Sequence, residues 1–318
     1  MTTTVLTRAE TARLLAQQDS VVILTHRRPD GDTLGSAAVL CRGLRQLGKT
    51  AYILENPQIT PKYAPLHEGL TTKIPEEKAF WVSVDVASPS MLPEEFAPFQ
   101  EKITLRIDHH GTATSFTPME LVDAASAATG EIVYDVLKLM GAELDAPMAE
   151  ALFTAVSTDT GCFRYANTTA HTFQVAAACA EKSGRLHEIT QQLFETNPLG
   201  RLRLQASLVE HARFLKGGKG VVCALPKAVE EELGLQEDDL ENISGFPRTI
   251  EGVKMAATLR EDGENRIKIS VRAVPGYDAA AVCSRFGGGG HKGAAGGLMK
   301  MSLSQAAQAL GAAMEEVL

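Results

Sequence analysis

The chain is poor in aromatic residues, short of positive charge and thin in cysteine, and each shortage closes off a class of function. Phe, Trp and Tyr make up 5% of the 318 residues, with a single Trp. That gives no sign of a stacking platform for the bases of a single strand. Lys and Arg number 31 against 39 Asp and Glu, a net charge of −8. A protein that coats long nucleic acid through a basic track needs the opposite balance. A small anionic substrate held by a few cations or by metal stays compatible with it. The five cysteines (Cys41, Cys162, Cys179, Cys223, Cys283) are odd in number and far apart, with no C-x-x-C among them. Free thiols in a reducing cytoplasm are expected rather than a disulfide framework. No apolar run approaches the roughly 18 residues of a spanning helix. The start, Met1-Thr-Thr-Thr-Val-Leu6, lacks the basic-then-apolar order of a secretory signal.

What is present reads as two globular domains. The hydrophobic fraction is 44% and the charged fraction 22%, ordinary values for packed cores, and the length suits two domains of about 150 residues. In the first half short apolar runs alternate with helical patterns. Val21–Leu24, Ala51–Leu54, Phe80–Val84 and Ile103–Ile107 read as strands. Helices are expected over Asp32–Leu47, Ala127–Met140, Pro147–Ser157, Ala170–Ser183 and Leu186–Glu195. Strands separated by helices predict an α/β fold with a doubly wound, mainly parallel sheet. After the turn signal Asn197-Pro-Leu-Gly200, Arg201–Leu215 reads as one long amphipathic helix that ends at Gly217-Gly218. The expected organisation is therefore a first domain over 1–196, a connector helix over 197–217, and a smaller α/β domain over 218–318. In the latter, Val221–Leu225, Val253–Leu259 and Arg266–Arg272 read as strands.

Four polar clusters stand out by position. Val21–Leu24 runs into His26, Asp30 and Asp32; Val84 runs into Asp85; Ile107 runs into Asp108-His109-His110; and the helix from Pro147 runs into Asp159. Three of them sit just past the end of an expected parallel strand, where open α/β sheets bind ligands. Asp30-Gly-Asp32 alone is more often a turn, Asp85 alone a helix cap, and His109-His110 alone one core histidine and one exposed. Together at one sheet edge they outgrow those readings. Gathered carboxylates repel one another unless cations neutralise them. Histidine nitrogen and carboxylate oxygen without thiolate suit Mn²⁺, with Mg²⁺, Co²⁺ or Fe²⁺ as competitors, better than a structural Zn²⁺ site. The ligand supply exceeds what one ion needs, so two are expected, the usual device for phosphoester cleavage. Asp123, Asp135 and Asp145 carry no partner signal and read as surface residues. Cys162 reads as core or supporting rather than ligating.

Further on, Gly287-Gly-Gly-Gly290 stands between a helical pattern and His291-Lys292. A bare glycine run is more often a linker. Inside a folded region it lets backbone N–H groups approach phosphate. From Ile267 to Lys292 there are four cations (Lys268, Arg272, Arg285, Lys292) and one acid, Asp278. That local excess in an acidic chain favours an anion site, with Arg272 at a strand end able to grip a phosphate or base in a forked geometry.

These motifs resemble a known family. His26-x3-Asp30-Gly-Asp32-x2-Gly35-Ser36, Asp85, Asp108-His109-His110 and Asp159 are similar to motifs I to IV of the DHH phosphoesterase superfamily. Gly245–Ile250, Lys268–Arg272 and Gly287–Gly296 resemble the DHHA1 domain of its NrnA-type branch. The similarity covers nearly the whole chain. It implies a cytoplasmic nanoRNase that cleaves short oligoribonucleotides to nucleoside monophosphates and removes the 3′-phosphate of 3′-phosphoadenosine 5′-phosphate. It further implies two divalent ions, Mn²⁺ foremost with Mg²⁺ or Co²⁺ as alternatives. By the resemblance His26, Asp30 and Asp85 hold the first ion; Asp32, Asp85, His109 and Asp159 hold the second, with Asp85 bridging. Asp108 orients a histidine and His110 faces the substrate phosphate. Arg272, Gly288, Gly289, Gly290, His291 and Lys292 bind the nucleotide, across a cleft from the metals. No membrane partner is implied, and a homodimer is left open. The alternatives are a phosphodiesterase of cyclic or linear dinucleotides and a non-catalytic nucleotide-binding module. Four clustered aspartates argue against the module, which has no need of them.

Overall fold

The computed structural model describes residues 3–74, 78–111, 115–235, 237–240 and 243–318. It divides into two units, Met1–Thr196 and Asn197–Leu318.

The first unit runs β1 (Thr4–Val5), α1 (Arg8–Ala16), β2 (Ser20–Leu24), α2 (Gly31–Gln46), β3 (Thr50–Leu54), β4 (Thr71–Thr72), β5 (Phe80–Val84), β6 (Ile103–Asp108), β7 (Met119–Val122), α3 (Thr129–Leu139), α4 (Ala146–Asp159), α5 (Ala170–Lys182) and α6 (Leu186–Thr190). Its sheet has the order β1-β7-β6-β5-β2-β3-β4, and every neighbouring pair is parallel. Val21–Leu24 and Trp81–Val84 are apolar or near-apolar runs because both faces of a parallel sheet are covered, and even Arg106 within Ile103–Ile107 is buried. The order reverses between β2 and β5. The ends of those two strands therefore open onto the crevice where a doubly wound sheet takes its ligand.

α2 packs closely on α4, and a glycine permits it. A Cβ on Gly35 would lie 2.4 Å from the Ala151 carbonyl oxygen and 2.9 Å from the Ala155 Cβ. Gly→Ala inside a helix ordinarily gains about 1 kcal/mol. Here the backbone oxygen cannot yield, so Gly35→Ala should instead lower stability by about 1–3 kcal/mol. Urea denaturation followed by circular dichroism reads the sign. A midpoint that rises would show that the helices can separate without cost.

The second unit contains α7 (Leu199–Glu210), β8 (Arg213–Leu215), β9 (Gly220–Leu225), α8 (Lys227–Glu232), β10 (Met255–Glu261), β11 (Ile267–Ala273), α9 (Ala279–Ser284), β12 (Gly289–His291), β13 (Ala294–Met299) and α10 (Leu303–Glu315). Its sheet, β12-β13-β11-β10-β9-β8, is mixed, with β9 and β10 parallel and the other pairs antiparallel. Alternation assigns the faces. Met255, Ala257, Leu259, Ile267, Ile269 and Val271 enter the core with α9 and α10. Thr258, Arg260, Lys268, Ser270 and Arg272 point the other way, into a pocket of ≈ 440 Å³.

Two local expectations are corrected. The helix expected over Arg201–Leu215 stops at Glu210, and Arg213–Leu215 is a strand. Gly217 and Gly218 take φ of 66° and 92°, the left-handed turn that folds this segment back onto β9. The helix expected over Leu186–Glu195 widens into a π-turn at Gln191–Glu195. All five cysteines are free. Among the described residues no helix is long and apolar enough to cross a membrane.

Candidate metal centre

Each polar cluster is delivered by the end of an element. β2 stops at Leu24, and the chain turns through Thr25 and His26 into Asp30, which caps α2. The Asp30 Oδ1 accepts from the backbone N–H of Asp32 and Thr33 at 3.1 and 3.2 Å, the usual reason for a helix to start after Asp. Gly31 between them is needed for space, since a Cβ there would meet the Thr158 side chain at 2.4 Å. Asp32, on the first turn, is wholly buried. Its carboxylate accepts from Thr129 N (2.7 Å), Gly130 N (3.0 Å) and Ser36 Oγ (2.9 Å). Two of these donors are the free N–H groups that open α3, a favourable place for a negative charge.

Asp85 follows β5 in the left-handed region, φ 60°, a conformation Asp tolerates better than bulkier residues. Its N–H donates to Ile107 O at 2.9 Å, and its Oδ1 accepts from Thr129 Oγ1 at 3.0 Å. The two carboxylate oxygens then face opposite ways. Oδ2 lies 3.5 Å from His26 Nε2, and Oδ1 lies 3.6 Å from His109 Nε2. His26 Nε2 is also 3.6 Å from Asp30, while His109 Nε2 is 3.4 Å from Asp159 and 3.9 Å from Asp32. Two trios result, His26–Asp30–Asp85 and Asp32–His109–Asp159, each with ligand atoms within 4.8 Å of one another. A third trio joins Asp85 with His109 and His110. All six residues expected to hold metal are thus brought together around Asp85.

The donor set fits divalent cations. His26 Nδ1 meets Arg27 O at 2.8 Å and His109 Nδ1 meets Ser126 O at 3.3 Å. A proton on each Nδ1 leaves both Nε2 lone pairs facing the carboxylates, the tautomer a metal requires. Without a cation the carboxylates repel. Burial, then Asp85, Asp159 and Asp30, push Asp32 well above the ordinary carboxylate range. Burial and the charges of Asp85 and Asp30 outweigh the help of His109 and lift Asp159 to about 7. Burial opposes a charged His26, yet its hydrogen bonds and charge contacts with Asp30 and Asp85 raise it well above the usual imidazole value.

Asp108 and His110 stand beside this cluster. Asp108 is fully buried, and its Oδ1 accepts from His110 N at 3.1 Å and pairs with Nδ1 at 2.8 Å. That hydrogen bond, against the cost of burial, raises His110 to about 9. Behind Asp108 lies Arg106, the largest fully buried side chain, bonded to Glu120 at 2.9 Å and to Ala87 O at 3.2 Å.

Sequence reasoning passed over Thr129, Gly130, Ser126 and Arg106. Two of these contacts use only backbone atoms, and the other two side chains are outside the titratable motifs. The three aspartates read as surface residues are at least partly exposed and have local partners. Asp123 and Asp135 both accept from Arg8, at 2.8 and 3.0 Å, and Asp145 caps α4 through Met148 N at 2.8 Å. Cys162 is half-buried directly after the α4 end, with φ 59°.

In the second unit Arg272 is half-buried and lines the sheet pocket with Arg260, Lys268 and Ser270. Gly289 reaches this pocket too, while His291 and Lys292 are exposed. The backbone of the glycine run is engaged within the protein. The N–H groups of Gly287 and Gly288 donate to Ser284 O and Cys283 O at 3.1 and 3.0 Å, and Gly289 and Gly290 pair with β13. A Cβ on Gly288 would lie 2.4 Å from Gly296 O. Glycine is required here for backbone contact within the hairpin.

Comparison with known proteins places this geometry. A model of the DHH family, N-terminal domain, matches residues 20–157, and a model of the DHHA1 domain matches residues 217–318. The chain is 36% identical to a protein of Thermus thermophilus named bifunctional oligoribonuclease and PAP phosphatase NrnA, over 96% of this chain and 92% of that one. A Bacillus subtilis protein of the same name is 23% identical over 91% and 92%. A crystal structure of an exopolyphosphatase-related protein from Bacteroides fragilis superposes with a TM-score of 0.87 at 22% identity, covering 97% of this chain and 96% of that one.

Proposed function

The chain belongs to the DHH family and carries its DHHA1 domain, and from that premise we propose that it is a two-metal phosphoesterase that hydrolyses short oligoribonucleotides to nucleoside monophosphates and removes the 3′-phosphate of 3′-phosphoadenosine 5′-phosphate. Support comes from relatives matched over nine-tenths of both chains, whose names state both activities. Hydrolysis of cyclic or linear dinucleotides draws less support from them.

One observation carries the reading: Asp85 divides its oxygens between the two trios. We assign His26, Asp30 and Asp85 to one ion and Asp32, Asp85, His109 and Asp159 to the other. Mn²⁺ suits the nitrogen and oxygen donors best. When bound, the ions supply Lewis acidity to the phosphoryl oxygens and lower the pKa of water at the site. The protein's own part is to hold that arrangement and move a proton. Asp32 and Asp85 are fixed by Thr129 and Gly130 before substrate arrives. His110, kept protonated by Asp108, donates to the phosphate and then to the leaving oxygen. In the second unit the sheet pocket and the hairpin carrying His291 and Lys292 bind the nucleotide, with Arg272 on a phosphate. A metal-replete assay across RNA lengths, beside 3′-phosphoadenosine 5′-phosphate, tests the whole reading. RNAs of about two to five nucleotides should be cleaved faster than long RNA. Failure to hydrolyse any of these substrates would refute it.

The proton donor gives a prediction of its own. The hydrogen bond with Asp108, the largest cause, raises His110 above its ordinary imidazole value, to about 9 in the metal-free protein, and His110 loses its proton as pH rises through its raised value. Activity should therefore fall on the alkaline side. Asp108→Asn removes the charge that raises His110, so the alkaline limb should move toward lower pH. A limb that stays in place in Asp108→Asn assigns the titration to another group.

Substrate grip gives another. Arg272→Ala should raise KM for short RNA and for 3′-phosphoadenosine 5′-phosphate by about tenfold or more, with kcat nearly unchanged. A small chromogenic diester, which needs only the metal centre, should respond much less. Equal loss on all three substrates would place Arg272 in the chemistry instead.

A further inference from the structure

The first unit holds a second cationic pocket that the reaction does not use. It is enclosed by α2, α4, α6 and the π-turn, and has a volume of ≈ 170 Å³. Its charged lining is Arg42, Lys62, Arg185 and Glu150. Arg42 stands ten residues beyond Asp32 on α2, roughly 15 Å along the helix, so this pocket is distinct from the metal centre.

Its cations are unequally satisfied. Arg185 is paired with Glu150 at 3.3 Å and with Glu188 at 3.0 Å. Arg42 has no hydrogen bond or ion pair with any described residue, and its Nε is shut off from solvent. A guanidinium with a sealed, unused donor is costly to bury. The buried Nε is out of a ligand's reach, but Arg42 also lines the pocket, where a small anion would meet the open end of its guanidinium, with Lys62 as a second cation. The volume is below the range of pockets that enclose drug-sized molecules and suits a single tetrahedral group.

The far wall adds a consequence. Gln192 and Leu193 line the pocket and belong to the π-turn at Gln191–Glu195. Such turns are rare and often mark functional positions. This one ends one residue before the first unit does. We propose that the pocket is a second oxyanion site for a phosphate group, and that its occupancy stiffens the π-turn leading out of the first unit. A phosphomonoesterase releases that same ion, so the site gives its product another place to bind.

Hydrogen exchange on the Mn²⁺-loaded enzyme tests this, with inorganic phosphate in one arm, a nucleoside 5′-monophosphate in another, and chloride at matched ionic strength as control. Phosphate should slow exchange across Gln191–Thr196 in the wild type. Arg42→Met keeps length and removes charge, and it should need about tenfold or more phosphate for the same protection. Its turnover of a chromogenic diester without phosphate should be unchanged, which separates this site from the metal centre. Lys62→Met, outside α2, provides a second charge removal if Arg42→Met folds poorly, and should also weaken the response. Protection by the monophosphate at similar concentration identifies a nucleotide's phosphate as the occupant; protection by phosphate alone identifies the free ion. The proposal is overturned if neither ligand protects the wild-type turn, or if the wild type and both variants respond alike.

Discussion

Asp85→Asn should abolish turnover almost completely, by about 10³-fold or more, a barrier increase of roughly 4 kcal/mol. The size follows from position. Every other carboxylate of the cluster faces one trio, whereas Asp85 faces both, 3.5 Å from His26 and 3.6 Å from His109. An amide cannot bridge two cations through two anionic oxygens. The backbone should survive, because Asn tolerates the left-handed φ of 60° that Asp85 adopts. Thr129→Val removes only the hydroxyl that donates to Asp85 and should cost about 10- to 100-fold. Steady-state kinetics on a dinucleotide, with Mn²⁺ titrated to saturation for each variant, sets the order. If Asp85→Asn kept near wild-type turnover while Asp30→Ala was dead, the bridging assignment would be wrong.

Metal removal should be equally severe. Stripped protein in excess chelator is expected to be inactive, and Mn²⁺ should restore more activity than Zn²⁺. The same treatment should change stability in a pH-dependent way. In the metal-free protein Asp159 is raised from its ordinary 3.8 to about 7. Between those values the folded state holds a proton that the unfolded chain has released. Its contribution is therefore full at low pH and is lost as pH rises through about 7. Mn²⁺ relieves the repulsion that remains. The rise in Tm on adding Mn²⁺ should be larger at pH 8 than at pH 5, read by scanning fluorimetry. Full activity in excess chelator, or an identical rise in Tm at both pH values, would count against a cation-neutralised cluster.

Much of the first unit was legible because its central strands are buried on both faces. Val21–Leu24 and Phe80–Val84 are mostly apolar runs that lead into titratable residues, so the strands and the cluster were read together. β7 was missed because its buried Glu120 interrupts the apolar signal, and its partner Arg106 lies on a neighbouring strand. The hairpin of β12 and β13 was also missed. Gly and Ala have little strand propensity, and this pairing rests on close backbone contact at Gly288 and Gly296. The segment Arg213–Leu215 read as helix because a short strand has too few residues to set a period, and its pairing with β9 depends on a turn. At the site, side chains with charge were visible in sequence. The groups that hold them, such as the N–H of Gly130, carry no mark in a string of letters.

The alternation along β10 and β11 has a consequence for how such a protein can change. Core and pocket residues occupy interleaved positions, so Thr258, Lys268, Ser270 and Arg272 can be exchanged while Leu259, Ile267, Ile269 and Val271 keep the sheet folded. The pocket proposed to hold the nucleotide is therefore open to drift by single substitutions. The first unit has no such latitude. Asp32, Asp85 and Asp108 are buried, and at Asp32 and Asp85 the packing contacts and the chemical groups are the same atoms. On the proposed reading, a lineage built on this chain could acquire new substrates one pocket residue at a time, and would keep its metal chemistry because altering that chemistry also disturbs the fold.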